Sequence, residues 1–342
     1  MRYLLFPFSL IYASITSVRN LVFDYGIFKS KNYNIPIICI GNLSVGGSGK
    51  TPHTQYLINL LKHNYKVAIL SRGYGRNNSN LQYVEVNSNP NQVGDEPLLI
   101  KRNHPDCLVI VEKNRNKGVQ QILKDFPRTD VIILDDGFQH RWIKAGFNIL
   151  ITPYFSPYYK DYLMPFGNLR ESKKEAKRAQ AIIVSNTPEQ SHPTEKIEML
   201  AKFNLLSSQT AYFSQIKYNK WECINMSNKL PDERTYSITL VTGIANAQSF
   251  LNELKKTGHI INHLEYPDHY QYTTKDIDNI LAKYNADRST KKLILTTEKD
   301  ASKLREFKSQ FGTENVYVAP IKVVLEQNEK FEKQILDYVE RN

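Results

Sequence analysis

Apolar positions along this chain fall into short, nearly continuous runs at residues 35–40, 66–70, 107–111, 131–134, 147–151 and 181–184. Runs of that length read as strands buried on both faces, not as the strict alternation of a sheet with one wet side. Between several of them the spacing turns helical, as in the residues after the first run up to Lys62 and in residues 114–126. Strands alternating with helices predict an α/β fold with a doubly wound, mostly parallel sheet. Past residue 210 the rhythm changes. Residues 211–224 and 316–324 are β-like with polar interruptions and read as two strands tying a second lobe to the first. Inside them, 238–241, 260–265 and 293–296 read as strands and 246–256 and 273–284 as helices. The expected organisation is a first domain over 1–210, a two-stranded linker over 211–235 and 315–325, and a second, smaller α/β domain over 236–314. A charged amphipathic helix near the end, within 326–342, is expected to pack back on the first domain.

The N-terminus is patterned differently. Residues 3–18 carry no charge, and Leu4, Phe8, Ile11, Ile15, Val18 and Val22 recur at three- and four-residue steps, with serines and Thr16 mainly off that stripe. This predicts an amphipathic helix. Sixteen residues including Pro7 fall short of the ~20 that a membrane span requires. A helix packed on the protein's own core and one lying in a lipid interface both fit the stripe.

Charge sharpens the question of partners. Lys and Arg outnumber Asp and Glu 45 to 34, a formal +11, which favours an anionic partner: nucleic acid, an acidic membrane surface or a phosphorylated substrate. Three widely spaced cysteines, with no CxxC or Cys/His cluster, indicate neither a disulfide framework nor a zinc site.

The first apolar run empties into Gly41-Asn42-Leu43-Ser44-Val45-Gly46-Gly47-Ser48-Gly49-Lys50-Thr51 and then a helix. That is the layout of a phosphate-binding loop, and it predicts a P-loop NTPase-like fold. Glycines let successive backbone N–H groups curl round a triphosphate, Lys50 reaches the outer phosphates, and the Thr51 hydroxyl can ligate Mg²⁺. Residues 44–51 are therefore the expected ATP contacts. Ser44 stands where the generic motif has Gly. Pro52 is tolerated because first-turn N–H groups lack helical partners. The run at 131–134 ends in Asp135-Asp136-Gly137-Phe138-Gln139-His140, which places two carboxylates where a Walker B acid holds Mg²⁺ opposite the loop threonine. A nucleotide outside the cytosol is scarce, so a secretory signal reading of the N-terminus conflicts with this site.

Other stretches have two readings each. Ser71-Arg72-Gly73-Tyr74-Gly75-Arg76 suits a ligand crevice or a solvated turn; Gly94-Asp95-Glu96-Pro97 can be chemical or a helix N-terminus with favourable dipole charge. The tyrosine-rich stretch running to Asn168-Leu169-Arg170-Glu171 can bind a phosphorylated or sugar ligand or be a solvated loop. Asp268-His269 is a candidate proton-handling pair or an ordinary helix entry.

Taken together, the loop with Pro52, SRGYGR, GDEP, LDDGFQH, NLRE, Pro267-Asp268-His269 and Thr297-Glu298-Lys299-Asp300 resemble, in order and over nearly the whole chain, the tetraacyldisaccharide 4′-kinase family, the lipid A 4′-kinases of Gram-negative envelopes. Ser44 fits that family's own version of the loop, and Asn168 stands where many members carry Pro. The resemblance implies ATP-dependent phosphorylation of the 4′-hydroxyl of a tetraacylated glucosamine disaccharide 1-phosphate, with Mg²⁺, at the cytoplasmic face of the inner membrane and with no nucleic-acid partner. It turns the N-terminal stripe towards the lipid interface. It makes Asp95 the base and His269 its partner from the second lobe. Thr51, Asp135, Asp136 and Glu96 become the metal set, and Arg72, Tyr74, Arg76, Gln139, His140, Arg170 and Glu171 the contacts to substrate or anionic groups. The rival reading is an NTPase or GTPase acting on nucleic acid or as a membrane-associated switch. No RNA-binding motif is visible, and Thr297-Glu298-Lys299-Asp300 lacks the Asn that reads guanine.

Overall fold

A computed structural model describes residues 2–224 and 235–342. The later part of the linker expected over 211–235 therefore lies outside the described residues. After α1 (Phe6–Asp24) come β1 (Ile37–Gly41), α2 (Lys50–Leu61), β2 (Val67–Ser71), β3 (Gln82–Tyr83), α3 (Pro90–Val93), α4 (Asp95–Asn103), β4 (Leu108–Val111) and α5 (Arg115–Asp125). They are followed by β5 (Val131–Asp135), β6 (Phe147–Pro153), β7 (Ala181–Ser185), α6 (Pro193–Phe203) and β8 (Thr210–Tyr218). The chain continues with β9 (Glu222–Cys223), β10 (Ser237–Thr242), α7 (Gln248–Lys256), β11 (Ile260–Glu265), α8 (Thr274–Ala286), β12 (Lys292–Thr297) and α9 (Glu298–Leu304). It closes with α10 (Lys308–Phe311), β13 (Val316–Ala319), β14 (Ile321–Leu325) and α11 (Asn328–Glu340).

The fold is α/β, with two sheets. One has nine strands in the order β14-β8-β7-β6-β1-β5-β2-β4-β3, the other five in the order β11-β10-β12-β13-β9. In the larger sheet only the outer pairs β14–β8 and β3–β4 run antiparallel. Its central strands are buried along their whole length, as continuous apolar runs require, with one core layer on each face. The order reverses at β1, so the loops after β1 and β5 open onto one crevice at the carboxyl ends of the strands. On one face α11 buries Phe331, Ile335 and Val339, and the Tyr338 hydroxyl bonds the backbone of Ile37 in β1.

Each stretch expected as a single linker strand is divided between the sheets. β8 and β14 form an edge of the larger sheet, whereas β9 and β13 pair in the smaller one. Asn219 N–H donates to the Pro320 carbonyl at 2.8 Å where the chain crosses. Proline has no N–H for a ladder, so Pro320 breaks the run between β13 and β14.

The N-terminal helix is inverted relative to a core helix. Its buried positions are Ser9, Asn20 and Phe23, while Leu4, Phe8, Ile11, Ile15 and Val18 are each at least 59% exposed. The helical run extends over 22 residues, Tyr3–Asp24, long and apolar enough to cross a membrane, so length does not exclude a span as the shorter stretch implied. Packing does the discriminating. Ser9 donates to the Leu163 carbonyl, Tyr12 to the Arg170 carbonyl at 2.8 Å, Arg19 to the Gln139 carbonyl at 2.6 Å, and Asn20 to Glu171. The polar face is stitched to the protein and the apolar face is left outward.

Candidate active site

The phosphate loop runs from β1 into α2. Gly46 and Gly49 adopt φ of +99° and +85°, the left-handed region that glycine enters without steric cost. Lys50 Nζ donates to Asn42 Oδ1 at 3.2 Å and lies 3.7 Å from Asp136 Oδ1. Val45 N–H donates to the Asn168 carbonyl, and Ser44 bridges Leu169, which binds the loop to the stretch preceding Arg170.

At the end of β5, Asp135 is buried and accepts hydrogen bonds from Thr54 at 2.9 Å and Ser71 at 3.2 Å. Burial first, then the charges of Glu96 and Asp136, push its carboxyl up to about 6. Asp136, at φ +49°, is paired with Arg170 at 3.2 Å as well as with Lys50. Burial would raise its pKa, but these cations outweigh burial and hold it below the ordinary carboxylate range. Asp135 and Glu96 form no ion pair among the described residues, although Lys50 and Arg115 lie close enough for their charges to act on Asp135. Among the described residues no three His, Cys, Asp or Glu side chains form a metal site by themselves. A magnesium ion fits such a place, because it takes one or two carboxylates and completes its shell with phosphate oxygens, a hydroxyl such as that of Thr51, and water.

Asp95 opens α4, aimed by Gly94 at φ +91°. Its Oδ2 receives two groups from the smaller sheet's side: His269 Nδ1 at 3.3 Å and Lys303 Nζ at 2.9 Å. No hydrogen bond to Oδ1 is present among the described residues. Burial pushes the Asp95 carboxyl up, but the hydrogen bonds and charges of His269 and Lys303 outweigh it and leave the pKa lowered. His269 sits at φ +61°, an unusual conformation for a non-glycine residue, with Lys299 Nζ 3.3 Å from its Nε2. A cleft of about 330 Å³ lies against this group, lined among others by Tyr74, Asn77, Asn91 and Gln271. Tyr74 is exposed, its ring 5.7 Å from that of His269.

The remaining predicted residues divide. Arg72 is exposed with its charge acting on Arg115 and His140, Arg170 is engaged with Asp136, Gln139 donates to the Asn42 carbonyl, and His140 has a buried Nε2 without a partner among the described residues. Burial first, then Arg115, Arg19 and Arg72, push the His140 pKa down to about 4. Two residues are not brought into the cluster. Arg76 donates to the carbonyls of Asn80, Ser79 and Val111 and shapes its own loop. Glu171 is fully buried among Arg19, Asn20 and Arg178, where it anchors α1.

Sequence reading missed Lys303 and Arg115. Lys303 lies three residues past the TEKD motif on α9 and is itself buried. Arg115 opens α5, is 2% exposed, and feels the charges of Asp136 and Asp135. In sequence Arg115 looks like an ordinary charged helix start and Lys303 like an ordinary cation in the last turn of a short helix.

The family model for tetraacyldisaccharide-1-P 4′-kinase matches residues 1–340. The chain is 39% identical to the tetraacyldisaccharide 4′-kinase of Bacteroides thetaiotaomicron, covering 99% of this chain and 93% of that one. It is 40% identical to that of Flavobacterium psychrophilum, covering 99% and 97%. The crystal structure of LpxK from Aquifex aeolicus in complex with ATP superposes with a TM-score of 0.78 at 33% identity, covering 99% of both chains. With a phosphate loop beside an acid pair, a carboxylate held from the second sheet, and these matches over almost its entire length, the chain belongs to the tetraacyldisaccharide-1-P 4′-kinase family.

Proposed function

We propose that this chain transfers the γ-phosphoryl group of ATP to the 4′-hydroxyl of a tetraacylated glucosamine disaccharide 1-phosphate, with Asp95 as the base and the cytoplasmic face of the inner membrane as its working surface. The observation that carries this reading is a pair of linked groups: Lys50 beside Asp136, and Asp95 gripped by His269 from the other sheet, with Glu96 next to Asp95 in the chain and its charge acting on Asp135. On this reading the two lobes are 1–210 and 236–314, and the stretches 211–235 and 315–325 expected to join them contribute strands to both sheets, β8 and β14 to the larger and β9 and β13 to the smaller.

Phosphoryl transfer asks the protein mainly for alignment and charge neutralisation. Amides of residues 44–51 and Lys50 hold the phosphates, and Arg170 and Arg72 meet charge on the moving phosphoryl group or the substrate. Thr51, Asp135, Asp136 and Glu96 would hold magnesium, which when bound draws negative charge from the phosphate oxygens. Asp95 Oδ1, the oxygen left open, takes the proton of the attacking hydroxyl as the sugar O–P bond forms and the bond from phosphorus to the ADP oxygen breaks. His269 and Lys303 fix the other oxygen. The apolar face of α1 lies among acyl chains, which presents a lipid-anchored acceptor to the crevice, and the net basic charge favours that acidic surface.

The test is incubation with γ-labelled ATP and tetraacyl disaccharide 1-phosphate in detergent, with and without Mg²⁺. Label entering a bisphosphorylated lipid only with Mg²⁺ supports the proposal. ATP turnover without lipid label overturns it.

A further inference from the structure

The first turn of α2 carries a buried histidine that the chemistry above does not use. His53 is 2% exposed; its Nδ1 lies 2.7 Å from the Gly49 carbonyl oxygen and its Nε2 2.9 Å from Ser214 Oγ on β8. A carbonyl oxygen only accepts, so Nδ1 carries the proton, and Nε2 of the neutral buried ring accepts from the Ser214 hydroxyl. The helix's own bond from His53 N–H to the same oxygen is long, 3.3 Å, so the ring is the nearer donor. One residue earlier, the Ser185 hydroxyl donates to the Ser48 carbonyl at 2.8 Å. Gly49 is thereby enclosed, a Cβ there standing 3.7 Å from both His53 and Ser185.

Peptide units are planar and trans, so each N–H points opposite the carbonyl of the residue before it. Fixing the Ser48 and Gly49 carbonyls towards Ser185 and His53 turns the Gly49 and Lys50 N–H groups the other way. We propose that His53 is a positioning residue for the nucleotide: its Nδ1–H aims the Lys50 amide at the phosphates, and its bond to Ser214 ties that amide to β8, the strand through which the chain passes to the smaller sheet. This rests on the loop being the phosphate site, as the family assignment implies.

Three variants test it. Asn places an amide nitrogen about where His carries Nδ1, and Gln about where it carries Nε2. Relative to the parent, His53→Leu and His53→Gln should weaken ATP binding and raise the ATP KM by about tenfold, the scale of one lost hydrogen bond in a buried site. The lipid KM should stay within about twofold. His53→Asn should keep ATP affinity within about threefold. Asn and Gln variants falling equally, or losses in both substrates' KM together with melting temperature, would overturn the proposal. If the Leu variant does not fold, the Asn and Gln pair still decides. A parent chain that binds no ATP would instead refute the phosphate-loop reading itself.

Discussion

Lys303 Nζ lies 2.9 Å from Asp95 Oδ2, with both side chains buried, although one belongs to α9 beside the smaller sheet and the other to α4 beside the larger. The carboxylate proposed as base is thus oriented from across the seam. Neighbouring bonds reinforce the same seam, from Arg102 to the Ser302 carbonyl at 2.7 Å and from Asn103 to Glu298 at 3.0 Å. Its role divides into separable effects.

Asp95→Asn keeps the shape but cannot take a proton. Turnover should fall by roughly a hundredfold or more, the usual scale for a lost general base, while ATP affinity measured by equilibrium binding stays near that of the parent. An unchanged kcat removes Asp95 from the role.

Lys303→Met removes one of the two groups that hold the Asp95 pKa down. The carboxyl then rises, and because a base works deprotonated, the acid limb of kcat/KM for the lipid should move to higher pH. A limb that stays in place contradicts the assignment.

His104 is 6% exposed, and neither ring nitrogen has a hydrogen-bond partner among the described residues. Burial first, then the charge of Lys62, push its pKa down to about 4. The unfolded chain binds the proton more readily, so the contribution of neutral His104 to stability is complete above pH ~6.5 and is lost as pH falls towards 4. The loss amounts to something on the order of 3 kcal/mol. His104→Leu should flatten urea-unfolding stability across that window. Equal acid sensitivity in parent and variant would refute this.

On α1, Ile11→Glu combined with Ile15→Glu puts two charges on the outward face. Cosedimentation with anionic vesicles should drop by tenfold or more, since each buried aliphatic side chain contributes about 1.5–3 kcal/mol. Activity on detergent-dispersed lipid should remain within about threefold. Undiminished vesicle binding would mean that α1 does not seat in lipid.

What could be read from the sequence follows from the range of the forces involved. β1, the loop and α2 are local: a buried run, glycines at positive φ and a helix start sit within one short stretch, and the structure places them as the pattern requires. The acid pair after β5 is equally local. Alternation along 211–224 and 316–324 reports a strand but not which sheet it joins, because pairing partners are set by distant chain. For the same reason the polar inward face of α1 carries no local signal: the groups it meets, Glu171 and the Gln139 carbonyl, are distant in the chain. Lys303 and His53 stand just beyond recognisable motifs, and neither belongs to one. Their importance lies in bonds to Asp95 and Gly49, which only the folded chain displays.

The most direct measurement of the central claim is single-turnover transfer from γ-labelled magnesium ATP to tetraacyl disaccharide 1-phosphate, comparing the parent with Asp95→Asn and His269→Ala at saturating nucleotide. The account predicts label at the sugar 4′ position, located by mass spectrometry, with the transfer rate falling in both variants and most in Asp95→Asn while ATP stays bound. Transfer at the parental rate by both variants, or label at any other position of the lipid, would contradict it.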